Sequence, residues 1–426
     1  MKKNRIFFLS SFLLFSSLSA DPEYQVIGDI NFSAYSGAED IITFQHSLIV
    51  GEDKLLGRPP TIQSVGRGFG RFFEILAWDV TNVYLGVVQH EIFGHGYRIR
   101  DLGTEYAKVK GYSFSWEGAA THFTITNKMT TSLESTISMG GVEATAILAN
   151  RLRLKWLESG KIDGRESALY SFSQQDITNY VLSIGKGAIL PEENGHDINS
   201  YLYLLHATYP NGKLTKSQLK ARVLINYLDP FTYFSYYAQG KFVVNGKPMN
   251  IPMIPIGSYK YLPSVRLGLT PFGPEYFLEN FLVKDNNPIY FYAKWGSFAG
   301  NNYYGFGVEQ SHLLSYKGWK IGYRFDAWRQ PYILFNEGLL IDLPSPERSS
   351  DFFSQNFSQA KAGSKPSEHD LHKKRIGVAM SVSIEKQIAE SAFSVYFQPG
   401  FKTAGFLPGQ ALRAAPIIFG GVSIKF

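Results

Sequence analysis

Residues 319–327 read Trp-Lys-Ile-Gly-Tyr-Arg-Phe-Asp-Ala, a run in which apolar side chains alternate with polar or small ones. Because successive side chains of a strand point to opposite faces, this alternation predicts a strand with one apolar and one polar face. Residues 376–384 alternate in the same way. Such segments recur beyond residue 256 and predict an antiparallel sheet of about eight strands. The others lie at 265–269, 276–283, 289–295, 304–308, 393–397 and 418–426.

The pattern of these strands favours a transmembrane β-barrel, because such barrels turn apolar side chains outward and polar ones inward. A long polar insertion at 336–373, with short turns near Asp285 and Gln387, fits the long outer loops and short inner turns of these barrels. The last residues, Ile424-Lys425-Phe426, resemble the C-terminal assembly signal of bacterial outer-membrane proteins. A periplasmic β-sandwich is the alternative. We expect the region 256–426 to form an outer-membrane barrel.

The first residues have the form of a secretory signal peptide, with a basic start and an apolar core at 6–15. A membrane anchor is the alternative, but the apolar core is too short to span a bilayer comfortably. We expect residues 1–20 to be removed after Ala20. Export and the barrel together predict a bacterial outer-membrane location, with the region 21–255 in the periplasm.

The region 21–255 is predicted to be mainly helical. Residues 21–61 alternate weakly and indicate strand and loop. An apolar run at 64–88 is interrupted by Glu74 and Asp79, which favours a buried helix over a membrane span. Further predicted elements are helices at Thr130–Glu158, Ile198–Tyr209 and Leu214–Leu228, a strand pair at 110–116 and 121–125, a helix start at Asp229-Pro230, and a hairpin turn at Asn245-Gly246.

The apolar run leads into His90-Glu91-Ile92-Phe93-Gly94-His95. A glutamate beside the first histidine is typical of the zinc-protease pattern H-E-x-x-H, but here the second histidine comes one residue late. On a regular helix, side chains five positions apart point about 140° away from each other and could not share a metal ion. A π-type bulge would bring His90 and His95 to one side, and Gly94 is its expected place.

A third ligand is predicted on the next helix at Glu143. Burial of an unpaired carboxylate is costly, so Glu143 needs a cation, and a metal ion held by the two histidines would supply it. A salt bridge to Arg151 or Arg153, or simple exposure, is the alternative, and Glu134 is the competing ligand. Around Glu143 stand four small residues that would let another helix approach closely: Gly140, Gly141, Ala144 and Ala146.

The string H-E-x-x-G-H with a helical glutamate downstream resembles the zinc site of the dipeptidyl peptidase III family. Glu143 lies 48 residues after His95. The resemblance implies a zincin-like helical domain in which His90, His95 and Glu143 bind zinc and Glu91 activates the attacking water. It covers residues 89–145, and the family has a doubled glutamate where Glu143 stands singly.

Three protein ligands on zinc leave one position for a water molecule, whose pKa falls toward about 7. Glu91 would take its proton and later return it to the leaving amine. The oxyanion needs a donor, for which Tyr97, Tyr112 and His122 are candidates. We therefore expect an α+β protein that hydrolyses a peptide or protein substrate with zinc, at the periplasmic face of the outer membrane.

Composition excludes several other classes of function. The chain has no cysteine, which excludes disulfides, thiolate metal sites and cysteine nucleophiles. Its formal charge of +6 falls to +3 when Lys2, Lys3 and Arg5 leave with the signal peptide, and this argues against nucleic acid as a partner. Two alternatives to a peptidase remain, a non-enzymatic outer-membrane structural or assembly protein and a lipid-modifying barrel enzyme.

Overall fold

The computed structural model describes residues 22–56, 65–115, 118–189, 196–333, 335, 373–389 and 391–426. A mainly helical N-terminal part packs against a large antiparallel sheet. The predicted signal peptide lies outside the described residues, and so does the polar insertion except for Lys373. Both therefore stay predictions.

The described helices fall between residues 34 and 245. A π-helix, Glu91–His95, joins α2 to α3, and two short 3-10 helices lie at Gly164–Glu166 and Leu224–Leu228. The α-helices are α1 Ala34–Leu55, α2 Val65–His90, α3 Gly96–Leu102, α4 Thr131–Ser138, α5 Gly140–Ser159, α6 Ser167–Ser183, α7 Asp197–Thr208, α8 Lys216–Val223 and α9 Pro230–Asn245.

The main sheet has ten strands, all antiparallel to their neighbours, in the order β1-β14-β13-β12-β11-β10-β9-β8-β7-β6. Two further pairs, β2 with β3 and β4 with β5, form separate two-stranded sheets. The strands are β1 Tyr24–Gly28, β2 Ala107–Phe114, β3 Ala119–Ile125, β4 Lys161–Ile162, β5 Met249–Asn250, β6 Ile254–Ile256, β7 Tyr259–Thr270, β8 Gly273–Lys284, β9 Asn287–Phe298, β10 Asn301–Tyr316, β11 Trp319–Pro331, β12 Lys374–Gln387, β13 Phe393–Lys402 and β14 Ala415–Ile424.

Eight of the ten strands, β7 to β14, follow residue 256, which confirms the antiparallel sheet predicted for the C-terminal region. Over the ranges described, strand hydrogen bonds do not close this sheet into a ring, because β1 and β6 stand at its two ends. Strand β1 comes from the predicted helical region and pairs with β14, with Tyr24 opposite Ile424. The predicted boundary at 256 therefore does not separate the sheet from all of the N-terminal region.

The two faces of the sheet differ as the alternation predicts. The inner face buries charged and polar side chains, among them Glu275, Glu279 and Asp326. The outer face leaves large apolar side chains exposed to a third or more of their surface. They include Leu278, Trp295, Tyr304, Phe306, Ile376, Met380, Phe393, Val395, Phe397, Phe401, Ile418 and Val422.

Helix α5 is the inner support of the sheet, because it carries cations that pair with the sheet's buried carboxylates. The Arg153 guanidinium lies 2.7 Å from the carboxylate of Glu279 on β8, and both side chains are fully buried. Arg151 bridges Glu39 on α1 and Glu309 on β10. The polar inner face of the sheet and the polar residues of α5 therefore neutralise each other inside the molecule.

The region 21–61 differs from its prediction, since its central part is the long helix α1 and not loop. Ser33 caps the start of α1 by accepting a hydrogen bond from the Ser36 N–H. The helix buries Ser36 and Gly37 with its apolar residues, because it is packed on both α5 and β1. Its buried face therefore has little apolar periodicity for sequence reasoning to detect.

Two other helix limits also differ from prediction. The helix expected over Thr130–Glu158 is interrupted at Met139, between α4 and α5. The pair Asn245-Gly246 ends α9 and does not form a hairpin: Gly246 has φ +69° and donates its N–H to the Phe242 carbonyl. An Asn-Gly pair suits both structures because both need a positive φ.

The strand pair predicted at 110–125 is confirmed as β2 and β3. Helix α7 and the start of α9, which Asp229 caps, also match their predictions.

Helix α2 was expected to be buried, but one side of it is exposed and apolar. That side consists of Phe69, Phe72, Phe73, Leu76, Val80, Val83 and Tyr84. Within the ranges described, no helix has both the length and the apolar content needed to cross a membrane.

Replacing the central cation of α5 should destabilise the whole protein. Arg153→Met leaves Glu279 buried with Arg266 as its remaining cation, and we expect a loss of about 3 kcal/mol in the free energy of unfolding. Urea unfolding of the purified protein measures this loss. Lys128→Ala, which breaks an exposed pair with Glu105, serves as the control and should leave the unfolding midpoint unchanged. Equal midpoints for the two variants would contradict the role given to α5.

Candidate metal centre

The helix that carries the two histidines contains the predicted bulge. His90 is the last residue of α2, and the next five residues form the π-helix. At its end the Gly96 N–H donates to the carbonyl of Glu91, five residues back, in place of the usual four. The extra residue in this turn brings the His95 side chain to the same side of the helix as His90. The predicted π-type bulge is therefore confirmed.

Glycines allow the bulged helix to cross α5 at very short range. A Cβ on Gly94 would lie 2.7 Å from the carbonyl oxygen of Gly140, and one on Gly141 would lie 2.2 Å from the Nε2 atom of His90. Both distances are far below van der Waals contact, so a side chain at either position would force the helices apart. The close helix approach predicted from the small residues of α5 is therefore confirmed, and Gly141 sets the position of the His90 ring.

Three ligand atoms converge beside this crossing. The Nε2 atoms of His90 and His95 lie 3.1 Å apart, and each lies 3.2 Å from Oδ2 of Asp197. Asp197 is the first residue of α7. Both histidines are buried, whereas the Asp197 side chain is 20% exposed, so solvent reaches the group from the side of Asp197. Among the described residues, this is the one group of three histidine or carboxylate side chains close enough to share a metal ion.

The hydrogen bonds of the two Nδ1 atoms indicate the tautomer of each histidine and hold its ring in position. Nδ1 of His95 lies 2.6 Å from the carbonyl oxygen of Ile137, which can only accept, so this nitrogen carries the proton. Nδ1 of His90 lies 2.8 Å from the Asp176 carboxylate, which also receives a hydrogen bond from the Thr145 hydroxyl. A neutral histidine that donates from Nδ1 has a lone pair on Nε2. Two such lone pairs and a carboxylate oxygen therefore point at one another.

Three converging acceptors of this kind can hold a metal ion or share protons between them. Atoms 3.1–3.2 Å apart in a triangle each lie about 1.8 Å from its centre, so an ion about 2.0–2.1 Å from each would fit just outside their plane. The Asp176–His90 contact is the carboxylate–histidine pair that usually orients a metal-bound imidazole. Two imidazoles with one carboxylate suit zinc, and they also suit iron(II).

The opposite charges of the histidines and carboxylates raise the pKa of the histidines and lower that of Asp197. Burial lowers the pKa of His90, but the carboxylates of Asp176 and Asp197 outweigh it and hold that pKa well above its ordinary value. The pKa of His95 is raised by the same balance of burial and Asp197. Burial raises the pKa of the Asp197 carboxyl, yet the two histidines hold it well below its usual range. The site thus attracts positive charge, and protons compete there with a metal ion.

Glu91 stands at the start of the π-helix and is buried. Its Oε2 accepts a hydrogen bond of 2.7 Å from the hydroxyl of Thr121 on β3, and the same hydroxyl lies 3.0 Å from the Glu91 carbonyl. The β2–β3 pair therefore packs against the π-helix that ends at His95, as expected, and Thr121 holds the Glu91 carboxylate.

Glu143, the third ligand predicted from the sequence, is not part of the three-residue group. Its carboxylate pairs with the Arg98 guanidinium and accepts the Gly409 N–H at 2.5 Å. The expected need for a cation is thus met by arginine, although not by Arg151 or Arg153. The competing candidate Glu134 also lies outside the group.

Asp197 and Asp176 are the residues of the candidate site that sequence reasoning missed. Asp197 lies 102 residues after His95, so no ligand spacing within one helix or turn relates the two. The one available signal was the position of Asp197 just before the predicted helix Ile198–Tyr209, where an aspartate is more simply explained as a helix-start residue. Asp176 has no signal of its own, because it is one polar residue among several on the buried helix α6.

The three side chains predicted as oxyanion donors have their described contacts with residues outside the three-residue group. Tyr97 is buried near Arg98, Tyr112 accepts a hydrogen bond from Arg100, and His122 is paired with Ser113 on the hairpin. The aromatic ring that does contact the group belongs to Tyr180, which stacks on His90 with ring centroids 5.2 Å apart.

No family model, curated protein or solved structure matches this chain, so functional assignment rests on the geometry of the site.

Metal content of two carboxylate variants tests the ligand set. Asp197→Asn should lose most of the bound metal, because it removes the anionic ligand, whereas Glu143→Gln should keep the metal and lose stability, because Arg98 loses its closest carboxylate and keeps the more distant Asp101 at 3.6 Å. Plasma mass spectrometry of purified protein measures metal per chain. The reverse outcome, with metal lost only in Glu143→Gln, would restore the ligand predicted from sequence.

A methyl group at Gly141 should also empty the site. The Cβ of Gly141→Ala would overlap the His90 ring and push it out of the triangle, so we expect metal affinity to fall by 10-fold or more, on the order seen when ligand orientation is disturbed. Gly70→Ala on α2 is the matched control, because a Cβ there meets nothing within 4 Å. Similar metal affinity in the two variants would show that His90 is not held by this contact.

Proposed function

We propose that this protein is a zinc-dependent hydrolase that cleaves peptide bonds at the periplasmic face of a bacterial outer membrane. The observation that carries the proposal is the convergence of two histidine lone pairs and one carboxylate oxygen within 3.2 Å. Acceptors that close together repel one another unless a metal ion or protons lie between them. Three protein ligands are also the number that catalytic zinc sites use, because a fourth position stays open for water.

The residues of the chain can perform the other steps of hydrolysis. Glu91 follows the ligand His90 directly and is held by Thr121, so it is placed to take a proton from a water bound at the open position. Bound zinc would lower the pKa of that water and polarise the scissile carbonyl. Glu91 would then deliver the proton to the leaving amine. Asp176 keeps the His90 ring in the orientation and tautomer that binding requires.

The hairpin beside the site favours a peptide as the substrate. Strands β2 and β3 pair only with each other among the residues described, so each has one edge without a strand partner. Thr121 on β3 contacts Glu91, which brings this hairpin to the reacting groups. An extended peptide that added to such an edge would lie across the site and be fixed by main-chain hydrogen bonds.

The resemblance to dipeptidyl peptidase III is proposed only for the local design of the site. The two share two histidines five residues apart with a glutamate beside the first. The third ligand here, Asp197, comes from a different helix than the resemblance implied, and a zincin-like arrangement of the helical domain is not needed for the proposal. Zinc is favoured over iron(II) because Glu91 supplies the base that hydrolysis uses.

The outer-membrane location is supported by the two faces of the main sheet. Large apolar side chains are exposed on its outer face, while ion pairs are buried on its inner face, and this is the reverse of a soluble sandwich. We propose that the outer face meets lipid. The periplasmic sandwich and the non-enzymatic outer-membrane protein remain the competing hypotheses, and the second predicts no catalytic metal.

Replacing the proposed base separates catalysis from metal binding. Glu91→Gln should keep about one zinc per chain and lose peptide hydrolysis by about 100-fold or more, since general bases contribute on the order of 10²–10⁴-fold. A quenched fluorescent peptide library measures hydrolysis, and mass spectrometry measures the metal. Glu134→Gln is the control carboxylate and should retain activity.

Full activity of Glu91→Gln would overturn the mechanism. Absence of metal and of peptide cleavage in the wild-type protein would instead favour the non-enzymatic hypothesis. Iron in place of zinc, together with no cleavage of the library, would move the protein to a different class of enzyme.

A further inference from the structure

The first end strand of the main sheet, β1, has its open edge capped by side chains of a helix. The Ile27 N–H donates to the Asp40 carboxylate at 2.8 Å, and the Gln25 carbonyl accepts from the Thr43 hydroxyl at 2.6 Å. Asp40 and Thr43 both belong to α1. These two backbone groups point away from the neighbouring strand β14, so α1 takes the place of the next strand.

At the other end of the sheet, a side chain from a helix also bonds to the backbone of a strand. Strand β6 covers only the beginning of β7, with Tyr259 to Tyr261 paired. Further along, the Leu267 N–H donates to the Asn226 side chain at 2.7 Å, and Asn226 belongs to the second 3-10 helix, Leu224–Leu228. Asn226 is fully buried and is itself held by a hydrogen bond to Thr178. One backbone group on this edge of β7 is therefore also satisfied by a helical side chain.

Three helices connect the two capped edges. Helix α9 follows the 3-10 helix in the chain and packs on α2, where Arg71 donates to the carbonyls of Val243 and Val244 at 2.8 Å. Helix α2 in turn packs on α1, where the Trp78 indole N–H donates to Glu52 at 3.1 Å. The sequence β7, 3-10 helix, α9, α2, α1 and β1 is thus continuous, and helices fill the gap that the strands leave open.

The outer side of this helical segment is as apolar as the outer side of the sheet. On α2 the exposed apolar side chains extend from Phe69 to Tyr84, which corresponds to about 22 Å of helix. The apolar band of an outer-membrane barrel is about 25 Å tall. Neighbouring exposed apolar residues continue the surface: Phe44 and Leu48 on α1, Tyr233, Tyr236 and Tyr237 on α9, Leu224, Tyr227 and Leu228 on the 3-10 helix, and Val26 on β1.

We propose that α1, α2 and α9 close the sheet into a complete wall and face the acyl chains of the lipid bilayer. The inference rests on the proposed outer-membrane location of the sheet and extends it to helices that were assigned to the periplasm. A helix in such a wall needs an apolar surface only on its outer side, because its inner side packs against protein. Lipid cannot satisfy an open strand edge, and the hydrogen bonds from Asp40, Thr43 and Asn226 offset part of that cost at both ends.

This placement also sets the position of the candidate metal centre. His90 follows Tyr84 by six residues, or about 9 Å along the helix, so the three-residue group lies just beyond the apolar surface of α2. The centre would therefore stand at the boundary between lipid and water, where peptides attached to or lying on the membrane are concentrated.

Single-cysteine labelling tests the placement, and the chain suits it because it has no cysteine of its own. The full mature protein is reconstituted into phosphatidylcholine–phosphatidylglycerol vesicles, with a nitroxide attached at Val80→Cys or Phe73→Cys on α2. Phe306→Cys on the outer face of β10 is the matched sheet position, and Lys128→Cys is the water-exposed reference. Electron paramagnetic resonance then compares collision rates with oxygen, which enters lipid, and with a nickel chelate, which stays in water.

We expect the α2 labels to match the Phe306 label, with an oxygen-to-nickel ratio several-fold above that at Lys128. A lipid-like ratio at Phe306 with a water-like ratio at both α2 positions would overturn the proposal while leaving the sheet in the membrane. Protection of the α2 labels from both reagents would also overturn it, in favour of a protein partner. A water-like ratio at every position would instead reject the outer-membrane location itself, and metal content with Glu91-dependent cleavage would remain as a separate test of the enzyme.

Discussion

The contact on which the rest of the structure depends is the crossing of two helices at Gly94 and Gly141. Backbone meets backbone there, because a Cβ on either glycine would overlap the opposite helix or the His90 ring. The bulged helix is thereby pressed onto α5, and the imidazoles of His90 and His95 are held where Asp197 can join them. The same helix α5 carries Arg151 and Arg153 toward the sheet. Helix α5 thus contacts both the candidate site and the main sheet.

Charge inside the molecule follows from this central position of α5. A sheet that exposes apolar side chains must turn its polar ones inward, and buried carboxylates are costly unless they are paired. The cations of α5 supply the pairing. Glu143 shows the same rule near the site, since its carboxylate is paired with Arg98. Of the two carboxylates that contact the histidines, Asp176 and Asp197, it is Asp197 that faces the Nε2 atoms of both rings, which makes this group the candidate place for a bound cation.

The accuracy of the sequence predictions depended on how local the governing interaction was. Alternation of apolar and polar residues predicted the strands from β7 to β14, because a side chain's face is determined by its position in its own strand. The π-bulge followed from five-residue spacing and one glycine, again within a single helix. Helix α1 was missed because its buried face contains serine and glycine, whose burial depends on α5 and β1. The break at Met139 and the end of α9 at Gly246 were also missed, because no residue near either position distinguishes the observed structure from the predicted one.

The sequence by itself determined the strand period, the bulged histidine pair and the glutamate beside it, since each depends on residues a few positions apart. Only the tertiary structure decided which carboxylate completes the group, because Asp197 reaches the histidines through helix packing across 102 residues of chain. It also decided that β1 joins the sheet and that helices cap both of its edges. Those outcomes depend on which distant surfaces meet, and no spacing within a segment encodes that.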